Sequence, residues 1–338
     1  MTPPAPPNAP ANLFICLTPL QALIARTLMQ AQPGQAHDLL MVCYEQADNA
    51  KFRHYFQSTA ALCRRADYVL MPERGLRRKT ALPHLLRRIG RRYTAAYAAS
   101  IDNPCVQYVL SRIRFHTLET FDDGSGNLTP GGILYRNPQG SLKSRIVRRI
   151  KGICYQTEDL RRLSRCHHTL FPGLPNIAEP AVPLALWPHG SPQTEAPAEM
   201  HGSAPAERRI LLGQPVFDDP ERNRRLSAYI ARRHRIAEYF PHPRETAPTD
   251  GLHRIDTPLI FEDWLIRELA RQPETLFRIY HLASTAALNT HRFPRTAVTA
   301  VRPGDALFWQ GSYDSLYRLM AQLGIPTDIL PENSTEAA

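Results

Sequence analysis

A stretch almost without large apolar residues, Pro188–Glu207 (PHGSPQTEAPAEMHGSAPAE), interrupts a sequence of 338 residues whose apolar content is otherwise ordinary. Such a segment cannot bury enough surface to offset the entropy of ordering it, so it reads as a linker. The same rhythm runs on both sides of it. Before the linker, short apolar runs at Asn12–Thr18, Asp38–Cys43, Ala66–Met71 and His116–Phe121 suit buried strands. A Pro-led helix over Pro19–Gln30 follows the first, with Leu20, Leu23, Ile24, Thr27 and Leu28 on one face. After the linker, strands are expected at Arg209–Leu212, Ala237–Phe240 and Phe277–Leu282, with helices at Glu221–Arg235 and Phe261–Arg271. Strands separated by helix-length segments indicate α/β units with largely parallel sheets. The expected organisation is a disordered Pro-rich start (1–11), a Rossmann-like acceptor-side domain (12–187), the linker (188–207) and a second Rossmann-like, nucleotide-sugar-binding domain (208–338). The last residues are expected to pack back on the first domain. Ligands of such sheets bind at the carboxyl ends of strands, here facing a central cleft.

Composition narrows the function classes. Forty-one Lys plus Arg against thirty-one Asp plus Glu leave a formal charge of +10, which suits an anionic partner. No apolar run reaches the ~18 residues of a membrane span. The first eleven residues hold five prolines and no basic region leading into an apolar one, so the cytosol is the expected compartment. Cys16, Cys43, Cys63, Cys105, Cys154 and Cys166 are scattered, without the spacing of a disulfide framework or zinc site. Nucleic acid is not an expected partner, because helix-turn-helix, zinc-pair and RNP-type signatures are missing.

The charge is densest between residues 74 and 92, at Arg74, Arg77, Arg78, Lys79, Arg87, Arg88, Arg91 and Arg92. Leu82, Leu85, Leu86, Ile89 and Tyr93 recur there at helical spacing, which predicts an amphipathic basic helix for an anionic membrane surface or a partner. A second basic patch follows at Lys143, Arg145, Arg148, Arg149 and Lys151.

Five short segments carry candidate chemistry. Asp122 and Asp123 stand at a strand's end before Gly124, as a carboxylate base, a metal holder or a plain Asp-Gly turn. Gly213 allows close backbone approach after a strand, and Asp218 or Asp219 follows as base or as cap of a helix opening at Pro220. His242, between Pro241 and Pro243, is a rigidly held imidazole suited to act as an acid or phosphate partner. Ser284 and Thr285 open a helix after a strand, as an anion site or an ordinary cap. Glu262 and Asp263 start another helix, where they bind ribose hydroxyls or offset the macrodipole.

Read in order, these segments resemble glycosyltransferase family 52, the bacterial lipooligosaccharide sialyltransferases. The resemblance runs through NLFICLTPLQ (12–21), TFDDGSGNL (120–128), HHTLFPGLPNI (167–177), ILLGQP (210–215), PHPR (241–244), IFEDWLIRE (260–268) and STAAL (284–288). It implies a GT-B fold, inverting transfer from CMP-sialic acid to a galactose-terminated glycan acceptor, and no required metal or cofactor. His242 would be the general acid and Asp218 or Asp219, with Asp218 favoured, the general base. Gly213, Gln214, Pro241 and Glu262 would surround the nucleotide, and Ser284 and Thr285 its phosphate. Asp122 and Asp123 would orient the acceptor or serve as rival bases. The resemblance also suggests a homodimer exchanging the region around 74–92, at the inner face of the bacterial inner membrane. The nearest alternative is a glycosyltransferase of the same fold using another nucleotide sugar; the non-enzyme alternative is a nucleic-acid-binding protein.

Overall fold

In the computed structural model, residues 11–73, 75–129, 132–137, 142–186, 206–242, 245 and 251–332 are described, with the side chains of 76, 78, 79 and 142–145 left aside. The chain divides into two compact units, Met1–Leu186 and Trp187–Ala338. Residues 1–10, residue 187 and most of the expected linker, 188–205, lie outside the described residues, as do 333–338.

The first unit runs β1 (Ala11–Cys16), α1 (Pro19–Gln30), β2 (Ala36–Tyr44), α2 (Ala50–Ala60), β3 (Arg65–Met71), α3 (Gly75–Ala81) and β4 (Arg92–Ala98). It continues with α4 (Pro104–Leu110), β5 (Arg114–Phe121), α5 (Leu142–Ile150), α6 (Thr157–Leu163), β6 (Ser164–Thr169) and β7 (Ala181–Pro183). Its strands form one parallel sheet in the order β3-β2-β1-β4-β5-β6-β7. The second unit contains β8 (Glu207–Leu212), α7 (Pro220–His234), β9 (Glu238–Phe240), β10 (His253–Arg254), α8 (Phe261–Arg271) and β11 (Leu276–His281). It closes with α9 (Thr285–Thr290), β12 (Thr296–Arg302), α10 (Gly311–Gln322) and β13 (Thr327–Ile329). Its sheet is again parallel, in the order β10-β9-β8-β11-β12-β13. Both orders are the Rossmann pattern, so the chain has the two Rossmann-like sheets of the GT-B class. Strand order reverses between β1 and β4 and again between β8 and β11, which opens the sheet edge to a ligand at those two points.

Local chemistry sets the elements. A parallel sheet is covered on both faces, so its strands are continuously apolar, and all six residues of β1 are buried. Thr18 caps α1 by accepting from the Gln21 backbone N–H at 3.2 Å, and Pro19 occupies the first turn, where no amide donor is needed. Asp219 caps α7 in the same way, accepting from the Glu221 N–H at 2.9 Å. That helix ends on Arg235 in the left-handed region, at φ 52°.

The expected amphipathic helix over 74–92 is corrected. Arg74 lies outside the described residues. From Gly75 the chain makes the short α3, then a 3-10 turn at Leu82–Leu86, and enters β4 at Arg92. Pro83 lacks the amide that a continuing helix would need. The apolar residues that suggested a lipid-facing stripe fill the core instead. Leu82, Leu85, Leu86, Ile89 and Tyr93 pack with Leu13, Ile15, Val106 and Leu118. The exposed basic side chains include Arg77 and Arg88, which pair with Glu45 and Asp67 at 3.4 and 3.6 Å. No helix among the described residues is long and apolar enough to cross a membrane.

Leu85, with no exposed surface, is the sharpest test of this placement. Leu85→Ala is expected to lower unfolding free energy by about 2–5 kcal/mol in a urea titration. Unchanged stability would return the segment to the surface.

Candidate active site

In the second unit the reversal of strand order gathers most of the expected site. β9 and β11 flank β8, and the loops leaving their carboxyl ends carry His242, Ser284 and Gly213–Gln214 respectively. Gln214 joins two of these loops. Its side-chain amide donates to the Ala283 carbonyl at 3.1 Å and accepts from the Ala283 N–H at 2.9 Å. The pairing copies a strand ladder beyond the point where β8 and β11 stop pairing, so the two loops stay in register. Gly213 donates its N–H to the Phe240 carbonyl at 2.8 Å, which holds the β8 and β9 ends together. A side chain at Gly213 would collide with the Tyr239 hydroxyl and the Glu245 carboxylate. The demand for glycine thus comes from a protein neighbour as well as from any ligand.

Pro241 is buried and His242 half-exposed. The His242 N–H donates to Glu245 Oε2 at 2.7 Å, and the Tyr239 hydroxyl donates to Glu245 Oε1 at 2.7 Å. The candidate segment in the sequence ran through Glu245 but gave that residue no role. Asp218 and Asp219 are exposed on the loop between β8 and α7. Asn223 shapes that loop: its Oδ1 accepts from the Val216 and Phe217 N–H groups at 2.9 and 3.0 Å, and its Nδ2 donates to the Phe217 carbonyl at 2.7 Å. Asn223 was also missed; an Asn facing inward on a charged helix was the available signal.

Ser284 takes the cap position of α9, yet its side chain makes no capping bond, so the ordinary-cap alternative does not hold. Its N–H donates to Nδ1 of His281, which is fully buried at the end of β11. Burial pushes the His281 pKa down to about 3, so this imidazole accepts as a neutral ring. Thr285 is half-exposed beside it. Glu262 is buried on the first turn of α8, where Oε1 accepts from Nδ2 of Asn289 on α9 at 2.8 Å. It is tied to the Ser284 helix rather than displayed on the surface.

In the first unit the adjacent carboxylates Asp122 and Asp123 part company. Asp122 is fully buried and accepts from four donors: His167 Nε2 at 2.9 Å, Asn127 Nδ2 at 2.7 Å, Thr169 Oγ1 at 3.1 Å and the Leu170 N–H at 2.7 Å. These engage the four acceptor directions of a carboxylate. His167 is itself buried, with Nδ1 2.9 Å from Thr120 Oγ1. The candidate base or acceptor residue Asp122 thus lies, fully buried, at the centre of a hydrogen-bonded network. Asp123 faces the other way and is half-exposed. It accepts from Gln21 Nε2 at 2.5 Å and Ser100 Oγ at 2.6 Å, drawing together the first turn of α1 and the segments that follow β4 and β5. Burial raises its carboxyl above the usual range. The positive φ of Gly124, 78°, lets the chain turn away directly after it.

Among the described residues, Glu119, Cys166 and His168 converge closely enough to hold a cation. His168 Nε2 lies 2.7 Å from Glu119 Oε2 and holds that carboxyl below its usual range. Burial pushes the Cys166 thiol up to about 11. A protonated thiol beside a carboxylate already bonded to the histidine is a poor ligand set, and the trio reads as part of the sheet's packing.

The two aspartates have opposite expected effects on stability. Asp122→Asn places an amide donor against donors and should lower unfolding free energy by about 2–4 kcal/mol. The ionised form of Asp123 opposes folding, and this opposition grows as pH rises from its unfolded toward its folded pKa. Asp123→Asn should therefore be at least as stable as wild type at pH 8, with the gap narrowing toward pH 4. Urea titrations at both pH values check this, and equal losses in the two variants would refute the division of roles.

Residues 37–305 match the model of glycosyltransferase family 52. A CMP-N-acetylneuraminate:beta-galactoside alpha-2,3-sialyltransferase of Pasteurella multocida is 29% identical, covering 93% of this chain and 97% of that one. N-acetyllactosaminide alpha-2,3-sialyltransferases of Haemophilus influenzae and Neisseria meningitidis are each 28% identical, covering 90% and 94% of this chain and 96% and 85% of their own. Among solved structures, the glycosyltransferase SnogD of Streptomyces nogalater is similar at a TM-score of 0.49 and 13% identity, over 96% of this chain and 88% of that one. That last likeness is too distant to inform the site. On the match that spans most of its length, the chain belongs to glycosyltransferase family 52.

Proposed function

We propose that the protein is an inverting sialyltransferase that moves sialic acid from CMP-sialic acid to the terminal galactose of a lipooligosaccharide or related glycan, forming an α2,3 linkage. The observation that carries this reading is the similarity, nearly end to end, to three alpha-2,3-sialyltransferases. The loops at the ends of β8, β9 and β11 support it by bringing Gly213, Gln214, Pro241, His242 and Ser284 to one edge of the second sheet.

In this mechanism the nucleotide lies along that edge, with Glu262 toward the ribose and Ser284 and Thr285 toward the phosphate. Asp218 takes the proton of the acceptor hydroxyl as its oxygen bonds to the anomeric carbon. The bond from that carbon to the CMP phosphate oxygen breaks, and His242 gives its proton to the departing phosphate. A second reading takes Asp123 of the first unit as the base, because it is the half-exposed member of an acidic pair whose other member, Asp122, is fully buried.

Attachment to an anionic membrane and homodimer formation remain parts of the proposal. The membrane contact no longer draws on residues 82–93, whose apolar side chains fill the core. Helix α5 offers a face of the required chemistry: Ile146 and Ile150 are 52% and 78% exposed, beside Arg149 and Lys151. Co-sedimentation with vesicles rich in phosphatidylglycerol, absent with neutral vesicles and reduced by Ile150→Glu, is the expected result.

Incubation with CMP-sialic acid and lactose should yield α2,3-sialyllactose. Turnover of a UDP-hexose with no use of CMP-sialic acid would sink the reading. His242→Ala should lower kcat by about 10²–10⁴-fold. Asp218→Asn should do the same and Asp123→Asn should not; the reverse pattern moves the base to Asp123.

A further inference from the structure

We propose that Glu245 is the positioning residue for His242, a clamp that locks the histidine loop onto β9. The inference rests on the assignment of His242 as the acid.

Pro241-His242-Pro243 carries a single backbone donor, the N–H of His242, because neither proline has one. That donor goes to Glu245 Oε2 at 2.7 Å, and the Glu245 N–H returns to the His242 carbonyl at 2.9 Å. Both backbone polar groups of His242 are thus bonded to one residue, Glu245. The second carboxylate oxygen accepts from the Tyr239 hydroxyl at 2.7 Å, and Tyr239 is only 2% exposed within β9. The pair of bonds between His242 and Glu245 is therefore anchored to the sheet through Tyr239. Gly213 completes the clamp from the neighbouring strand end. Its N–H holds the Phe240 carbonyl at 2.8 Å, and the space where its side chain would stand is filled by the Tyr239 hydroxyl and the Glu245 carboxylate.

The consequence is directional. A histidine that donates a proton in the transition state must present one nitrogen at one place, and backbone freedom at residue 242 would spread that nitrogen over several positions. A carboxylate suits the clamp better than a neutral acceptor, because charge-assisted bonds to the N–H and the hydroxyl are shorter and stronger. Glu245 acts through His242 and need not touch the substrate.

The test is a double-mutant cycle on donor turnover. Glu245→Ala should lower kcat by about 10–100-fold with KM for CMP-sialic acid changed less than about 3-fold, as expected when only the transition-state geometry is lost. In a His242→Ala background the same substitution should change kcat less than about 2-fold, because the positioned group is already gone. Glu245→Gln, which keeps a carbonyl acceptor for the His242 N–H, should recover part of the loss, and Tyr239→Phe should give a smaller loss. If Glu245→Ala does not fold by circular dichroism, Glu245→Gln and Tyr239→Phe carry the cycle. Equal losses from Glu245 substitution with and without His242 would overturn the clamp while leaving the sialyltransferase reading intact. A silent His242→Ala overturns both the clamp and the assignment of the acid. Use of another nucleotide sugar overturns the donor alone, and the cycle is then run with that donor.

Discussion

The paired bonds between the Gln214 side chain and the backbone of Ala283 are the join on which the second unit's site depends. A Rossmann sheet opens where its strand order reverses, and there the two loops leaving the sheet run in opposite directions. Such a gap is useful to a ligand only if its two sides stay in register. Gln214 supplies that register with a side chain that mimics a backbone ladder, and Gly213 extends it sideways through Phe240. The Ser284 loop, the Gly213 loop and the His242 loop are therefore tied into one edge.

The first unit solves a similar problem with charge. Asp122 and Asp123 are chemically identical and adjacent just beyond the end of β5, yet their side chains enter different surroundings. One enters a buried network of His167, Asn127 and Thr169, where four donors satisfy it. The other meets Gln21 and Ser100 at the reversal point and stays half-exposed with raised basicity. Burial without full compensation is a stability cost, and a site that needs a proton acceptor is where such a cost is expected to persist.

The basic segment shows how the same pattern can serve two ends. Leu82, Leu85, Leu86, Ile89 and Tyr93 have the spacing of an amphipathic helix, and that spacing is equally met by a bent connection laid over a core. Pro83 decides between them locally, and the demand of the sheet for a cover on that face decides it globally. The arginines stay outside in either case, since their charge is satisfied only by water or by acids such as Glu45 and Asp67.

The sequence by itself determined the two α/β units, seven of the thirteen described strands, the helices α1, α7 and α8, and the segments around Gly213, His242 and Ser284. These follow from short-range physics: apolar runs for strands buried on both faces, and caps and prolines for helix starts such as Thr18-Pro19 and Asp219-Pro220. Only the tertiary structure decided which of Asp122 and Asp123 is structural, where the residues of 82–93 are spent, and that Glu245, Asn223 and His281 support the site. Each of those depends on a partner brought near by the sheet: His167 for Asp122, Tyr239 for Glu245, the 216–219 loop for Asn223. A pattern along the chain records which side chains prefer to be buried, but the partner that satisfies a buried polar group is chosen by topology.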